Sequence, residues 1–112
     1  MKSKIKKISD CANYDEWVAD ILKKNPKQVD HFLKLALEDF KNDGDLAALL
    51  LALRQVAKTK CGFSELSAKT GIARENLYSI LSKSGNPTLT TFKTILDALG
   101  YELSLKISRI VA

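Results

Sequence analysis

The sequence predicts an all-α domain that ends in a short β-strand. Two observations carry the helices and a third carries the strand. Apolar residues return every three or four positions through most of the 112 residues, the spacing that gives a helix one buried face. The segments so defined are separated by start and stop residues: Asn25-Pro26, Asn42-Asp43-Gly44-Asp45, Gly71 and Gly100. After Gly100 the period drops to two. Tyr101, Leu103, Leu105 and Ile107 alternate with Glu102, Ser104, Lys106 and Ser108, the pattern of a half-buried strand.

Residues 1–10, MKSKIKKISD, are lysine-rich, with Ile5 and Ile8 between the charges. They read as a basic arm, a short strand or a frayed terminus. Asn13 to Glu16 resembles a capping box, opening a helix with Trp17, Val18, Ile21 and Leu22 on its apolar side. Lys23 and Lys24 close it where the helix dipole favours cations. Asn25, Pro26 and Gln28 open the next helix, whose stripe is Val29, Phe32, Leu33, Ala36, Leu37 and Phe40. His31 lies off that stripe and reads as solvated. Asp45 caps a third helix, expected to bury Leu46, Leu49, Leu50, Leu53, Val56 and Ala57 and to be central. The last helix starts at Thr88, Thr90 or Thr91. Its stripe is Leu89, Phe92, Ile95, Leu96 and Leu99, and Gly100 ends it. The strand that follows has no hairpin partner in the chain. Lys4 to Ile8, a second subunit or another protein would have to pair with it; otherwise it packs over the core unpaired.

The stretch with chemistry is 63–82, FSELSAKTGIARENLYSILS. Ser64 is placed to cap one short helix, Gly71 supplies the turn, and a second helix runs from Arg74 to about Ser82. Leu77, Ile80 and Leu81 are its apolar stripe, so Arg74, Glu75, Asn76, Tyr78, Ser79 and Lys83 are left facing outward. A helix-turn-helix needs this asymmetry to lay its second helix in the major groove. Arg and Asn offer paired hydrogen bonds to base edges, whereas Ser, Tyr and Lys also suit phosphates. On this reading Ser64 and Lys83 meet phosphates and the other five face bases. Phe63 is expected in the core. The competing reading is an ordinary helical hairpin with a solvated face.

Charge and composition bound the function. The formal net charge is +5, which fits a polyanionic partner. Residues 45–112 hold nine Lys or Arg against five acids, and residues 1–44 nine against eight, so the helix-turn-helix half carries most of the excess. Cys11, Cys61 and His31 do not have the spacing of a metal site, and no cofactor is expected. The two cysteines are expected as free thiols in a reducing cytoplasm. No signal peptide or membrane span is expected. The chain lacks a phosphate-binding glycine loop and a nucleophile elbow, and an enzyme is not expected.

The run ALEDFKNDGDLAALLLALRQVAKTKCGFSELSAKTGIARENLYSILSKSGNPTLTTFKTILDALGYEL resembles the probable addiction-module antidote family, HigA-type antitoxins with a Cro/C1-type helix-turn-helix. The marks are the acidic turn after LALED, the G-F-S-x-L-S-x-x-T-G-I entry, the R-E-N-L-Y helix, the G-N-P-T loop and the closing F-x-T-I-L-x-A-L-G. They span about Val29 to Leu105, whereas Met1 to Lys24 departs from the family in length and lysine content. The resemblance implies a five-helix lambda-repressor-like domain, here over 25–112, preceded by an arm and helix over 1–24. It also implies operator binding as a dimer, repression of the chain's own operon, and a toxin partner of the RelE/ParE superfamily. The dimer contact is expected around Phe92, Leu99, Tyr101 and Leu103. A stand-alone or phage-type regulator without a toxin, and an interaction module that no longer binds DNA, are the rival readings.

Overall fold

The computed structural model describes residues 11–25 and 27–110, with side chains from Trp17 onward except Ala19. The expected N-terminal arm, the Asn13 and Glu16 side chains, the Cys11 thiol and Pro26 lie outside the described residues. Six helices follow in order: α1 (Cys11–Lys24), α2 (Lys27–Asp43), α3 (Leu46–Lys60), α4 (Gly62–Thr70), α5 (Arg74–Ile80) and α6 (Leu89–Ala98). α3 is central. It packs against α1, α2 and α4, while α4 also meets α5 and α6.

The core follows from the periodicity. Leu50, Leu53, Leu66, Leu77, Leu81, Ile95 and Val56 have no exposed surface. Val18 and Leu22 bring α1 into the same cluster, and Val29 and Leu33 bring in α2. A leucine buried to this extent contributes roughly 1.5–3 kcal/mol. Trp17 and Ile21, expected on the same apolar side of α1, are instead exposed, as are Leu35 and Leu37 of α2.

Local chemistry sets the helix ends, and it differs in part from the expectation. Asp45 caps α3 as expected, its carboxylate accepting from the Ala48 N–H at 3.1 Å. Thr88 caps α6 by accepting from the Thr91 N–H, also at 3.1 Å. Asn13 lies within α1 (Cys11–Lys24) and so is not its cap. Asn25 serves the end of α1: its side-chain amide donates to the Ile21 carbonyl at 2.9 Å.

The C-terminal β-strand is a correction. No strand occurs among the described residues, and 101–110 have no regular secondary structure. The alternation at 101–107 has another origin. Tyr101 and Leu103 are partly buried against the core. The Tyr101 hydroxyl donates to the Asp30 carboxylate at 2.5 Å, and its ring sits 4.8 Å from the Lys60 ammonium. Beyond that anchor the apolar residues point away: Leu105 is 71% exposed and Ile107 98%. A period of two describes an extended chain, but a strand needs a second backbone to complete its ladder.

Candidate nucleic-acid interface

α4 and α5 are joined by a three-residue turn, Gly71-Ile72-Ala73. Gly71 has φ +77°, the left-handed conformation that glycine adopts without a Cβ clash. Its N–H donates to the Ser67 carbonyl at 2.9 Å. The Ser67 hydroxyl donates to the Ile72 carbonyl at 2.6 Å. Thr70 closes the other side, donating to the Leu66 carbonyl at 2.8 Å and accepting from the Ile72 N–H at 3.2 Å. Thr70 closes α4 as its place before Gly71 suggests, whereas nothing in the sequence marks Ser67. Below the turn, Phe63, Leu66, Leu77 and Leu81 are buried.

The face of α5 is polar and open. Ser64, Arg74, Glu75, Asn76, Tyr78, Ser79 and Lys83 are all exposed. They do not act as seven separate groups. Arg74 donates from its guanidinium to the Ser64 hydroxyl at 2.8 Å. Ser64 is thus inside α4, not its cap; the N-cap position is Cys61, which makes no side-chain capping bond. Tyr78 stacks on Phe63 with centroids 4.2 Å apart and an 11° interplanar angle. The Arg54 guanidinium lies 5.5 Å from the centroid of the Tyr78 ring, within cation–π range. Arg54 also reaches the Leu81 carbonyl at 3.5 Å, so it ties α3 to the end of α5.

α5 is shorter than its apolar stripe suggested. It ends at Ile80, and Lys83 lies in the turn that follows. The Ser82 hydroxyl folds back to the Ser79 carbonyl at 2.6 Å. Gly85 fixes this turn: a Cβ there would overlap the Ile80 carbonyl. Charge on the face is modest. Lys69 pairs with Glu65 at 3.1 Å, leaving Arg74 and Lys83 as the cations opposite Glu75.

Across the molecule, α2, α6, the 87–89 loop and the C-terminal segment enclose an apolar groove of about 910 Å³. Phe92, Tyr101 and Leu103 line it, beside the exposed Leu89 and Leu105. Leu99, the fourth residue expected at a dimer contact, is buried in the chain's own core at 3% exposure. The remaining chemistry is sparse. Cys61 is a free thiol, raised in pKa by burial and by Glu65. Among the described residues, no group of three or more His, Cys, Asp or Glu is placed to hold a metal ion, and no helix is long and apolar enough to cross a membrane.

Residues 11–107 match the family model described as probable addiction module antidote protein. The chain belongs to this antidote family. The match begins at Cys11 and so takes in α1, which the sequence had suggested was a departure from the family pattern. An uncharacterized protein of Haemophilus influenzae (strain ATCC 51907 / DSM 11121 / KW20 / Rd) is 31% identical over 77 residues, covering 69% of this chain and 78% of that protein. No solved structure matches the antidote chain. An antidote acts on a toxin, so membership implies a toxin partner.

Proposed function

We propose that this antidote-family chain is the antitoxin of a type II toxin–antitoxin module, HigA-like, with a Cro/C1-type DNA-reading motif. It binds operator DNA as a homodimer, represses its own operon and neutralises a toxin of the RelE/ParE superfamily. The observation that carries the DNA half is the α4–turn–α5 unit: a hydrogen-bonded turn presents six exposed polar residues on and just after one short helix. In this reading α5 enters the major groove, Arg74 and Asn76 read base edges, and Glu75, Tyr78 and Ser79 lie along the same face. Lys83 meets a phosphate. Ser64 holds the Arg74 guanidinium in addition to approaching the backbone. The groove lined by Phe92, Tyr101 and Leu103 supplies the twofold contact.

Two measurements test the proposal. Fluorescence anisotropy with the duplex upstream of the chain's own reading frame should show binding about 10³-fold or more tighter than to an unrelated duplex. Affinity should fall steeply with salt. Co-expression with the neighbouring reading frame should restore growth that the neighbour alone arrests. Equal affinity for both duplexes removes operator recognition. Growth arrest that this chain does not relieve removes neutralisation.

A further inference from the structure

A second groove, of about 840 Å³, runs between α2 and α3 on the side away from α6 and the C-terminal segment. Its apolar lining includes Phe32, Leu35, Ala36, Leu51 and Ala52. Leu35 is 51% exposed, although it sits mid-helix and away from both ends of α2. α2 is apolar on more sides than one element can cover. Val29 and Leu33 reach the core, Leu37 faces the first groove, and Leu35 faces the second. A helix of that kind is normally enclosed by neighbours.

Two further features point to an occupant. One is charge. Asp39, Asp43 and Asp45 line one end of the groove, and among the described residues none of them is in an ion pair. Arg54 and Lys83 also line the groove, but the cluster of three aspartates at this end runs against the chain's overall positive charge and is itself unsuited to nucleic acid. The other is polar. Gln55 lines the groove at 3% exposure, and its side-chain carbonyl has no donor. Arg54, also on the lining, has a buried Nε with no acceptor. Buried polar groups are almost always paired. An unmet acceptor and an unmet donor thus lie buried beneath the wall of this groove.

We infer that the α2–α3 groove, with its acidic end at Asp39, Asp43 and Asp45, is the docking surface for a basic protein partner, the toxin of the proposed module. The inference rests on that proposed function. The resemblance to HigA-type antitoxins implies a toxin that acts on mRNA, and such a toxin must itself carry a cationic surface to hold that polyanion. An acidic, apolar-floored groove competes for that surface. The α5 residues Arg74, Glu75 and Asn76 do not line this groove, but Lys83 does, so the toxin surface lies beside the DNA face and adjoins it at Lys83.

The test uses the full chain co-expressed with the tagged product of the neighbouring reading frame. Two variants address the groove: Leu35→Asp, and Asp39→Lys with Asp43→Lys. All three positions are exposed, and thermal melts confirm that the variants remain folded. Each should weaken capture of the neighbour's product by roughly tenfold or more, with upstream-DNA affinity not reduced. Hydrogen exchange on the wild-type complex should show new protection at 32–40 and 48–55. Wild-type capture that both variants retain overturns the groove and leaves the proposed function standing. Protection confined to 87–105 overturns it equally, by moving the toxin to the first groove. A change from dimer to monomer in Leu35→Asp alone would make the surface a contact between copies and overturn the assignment. If the wild-type chain captures nothing, the proposed function falls and the groove assignment falls with it.

Discussion

Arg74 opens α5 with a guanidinium that is exposed yet already hydrogen-bonded, donating to the Ser64 hydroxyl at 2.8 Å. A guanidinium has five donors in a fixed plane, so one bond to Ser64 leaves a paired edge free for guanine. On the proposed reading, Arg74→Ala weakens operator binding by about 1–3 kcal/mol and relaxes preference at one base pair. Arg74→Lys should not restore it, because an ammonium lacks the fork. Ser64→Ala should weaken operator binding less than Arg74→Ala, and both are read by anisotropy against a panel of single base-pair changes. Unchanged operator affinity in Arg74→Ala removes the assignment. Tyr101 makes a different kind of statement. Burial, then the bond to Asp30 and its charge, push the Tyr101 phenol above its ordinary range. A group whose folded pKa is raised contributes stability that is present below the unfolded value and is lost as pH rises through the folded one. The unfolded value is about 10, so the Tyr101 contribution should start to fall near there. Denaturant melts from about pH 8 to 11.5 should show a steeper loss in the parent than in Tyr101→Phe; parallel curves would mean that the phenol is not held by Asp30.

α3 packs against three other helices, and Leu53 at its middle has no exposed surface. Leu53→Ala should cost about 2–5 kcal/mol, the range for a buried leucine whose cavity does not collapse. That is a large share of a small domain's stability; a variant melting like its parent would contradict the packing. The loop after α5 is sensitive for another reason. A Cβ at Gly85 would meet backbone at Ile80 and the Leu50 side chain. Gly85→Ala should therefore destabilise by a few kcal/mol as the turn is forced open, measured by urea unfolding. Much of this scale was legible in the sequence. Most buried positions of α3, α5 and α6 follow from apolar spacing, but Leu89, expected on the α6 stripe, is 62% exposed. The cap was legible where one side chain had one backbone to serve, as at Asp45, whereas the sequence left Thr88, Thr90 and Thr91 as alternatives and the structure selects Thr88. The expected caps failed at Ser64 and Asn25, where a second partner, Arg74 or the Ile21 carbonyl, was available only after folding. Gly85 gave no signal beyond its place in a loop, because its constraint comes from a backbone five residues away. Arg54 was not legible either: its role depends on Tyr78, twenty-four positions on, standing beside it.

At the scale of the whole molecule, among the described residues an apolar groove lies on either flank of α2, and the exposed residues Arg74, Glu75 and Asn76 of α5 line neither. The C-terminal segment was the part least legible in the sequence. Its alternation is real, but only Tyr101 and Leu103 find partners within the chain, and Leu105, Ile107 and Ile110 stay exposed. A reader of palindromic DNA needs two copies of α5 about one helical turn apart. A twofold contact joins identical patches. The groove with Phe92, Tyr101 and Leu103 has what such a patch requires: an apolar floor and two exposed leucines, Leu89 at 62% and Leu105 at 71%. A second copy can fill that groove with its own Leu89 and Leu105, without any strand ladder. The double variant Leu89→Asp, Leu105→Asp leaves the buried core untouched and should keep the parent's helical circular dichroism. Multi-angle light scattering should then show a shift from dimer to monomer. Operator affinity should drop as the two half-sites uncouple, while weak binding to unrelated duplex is reduced less. A variant that stays dimeric and binds the operator like its parent places the twofold contact elsewhere.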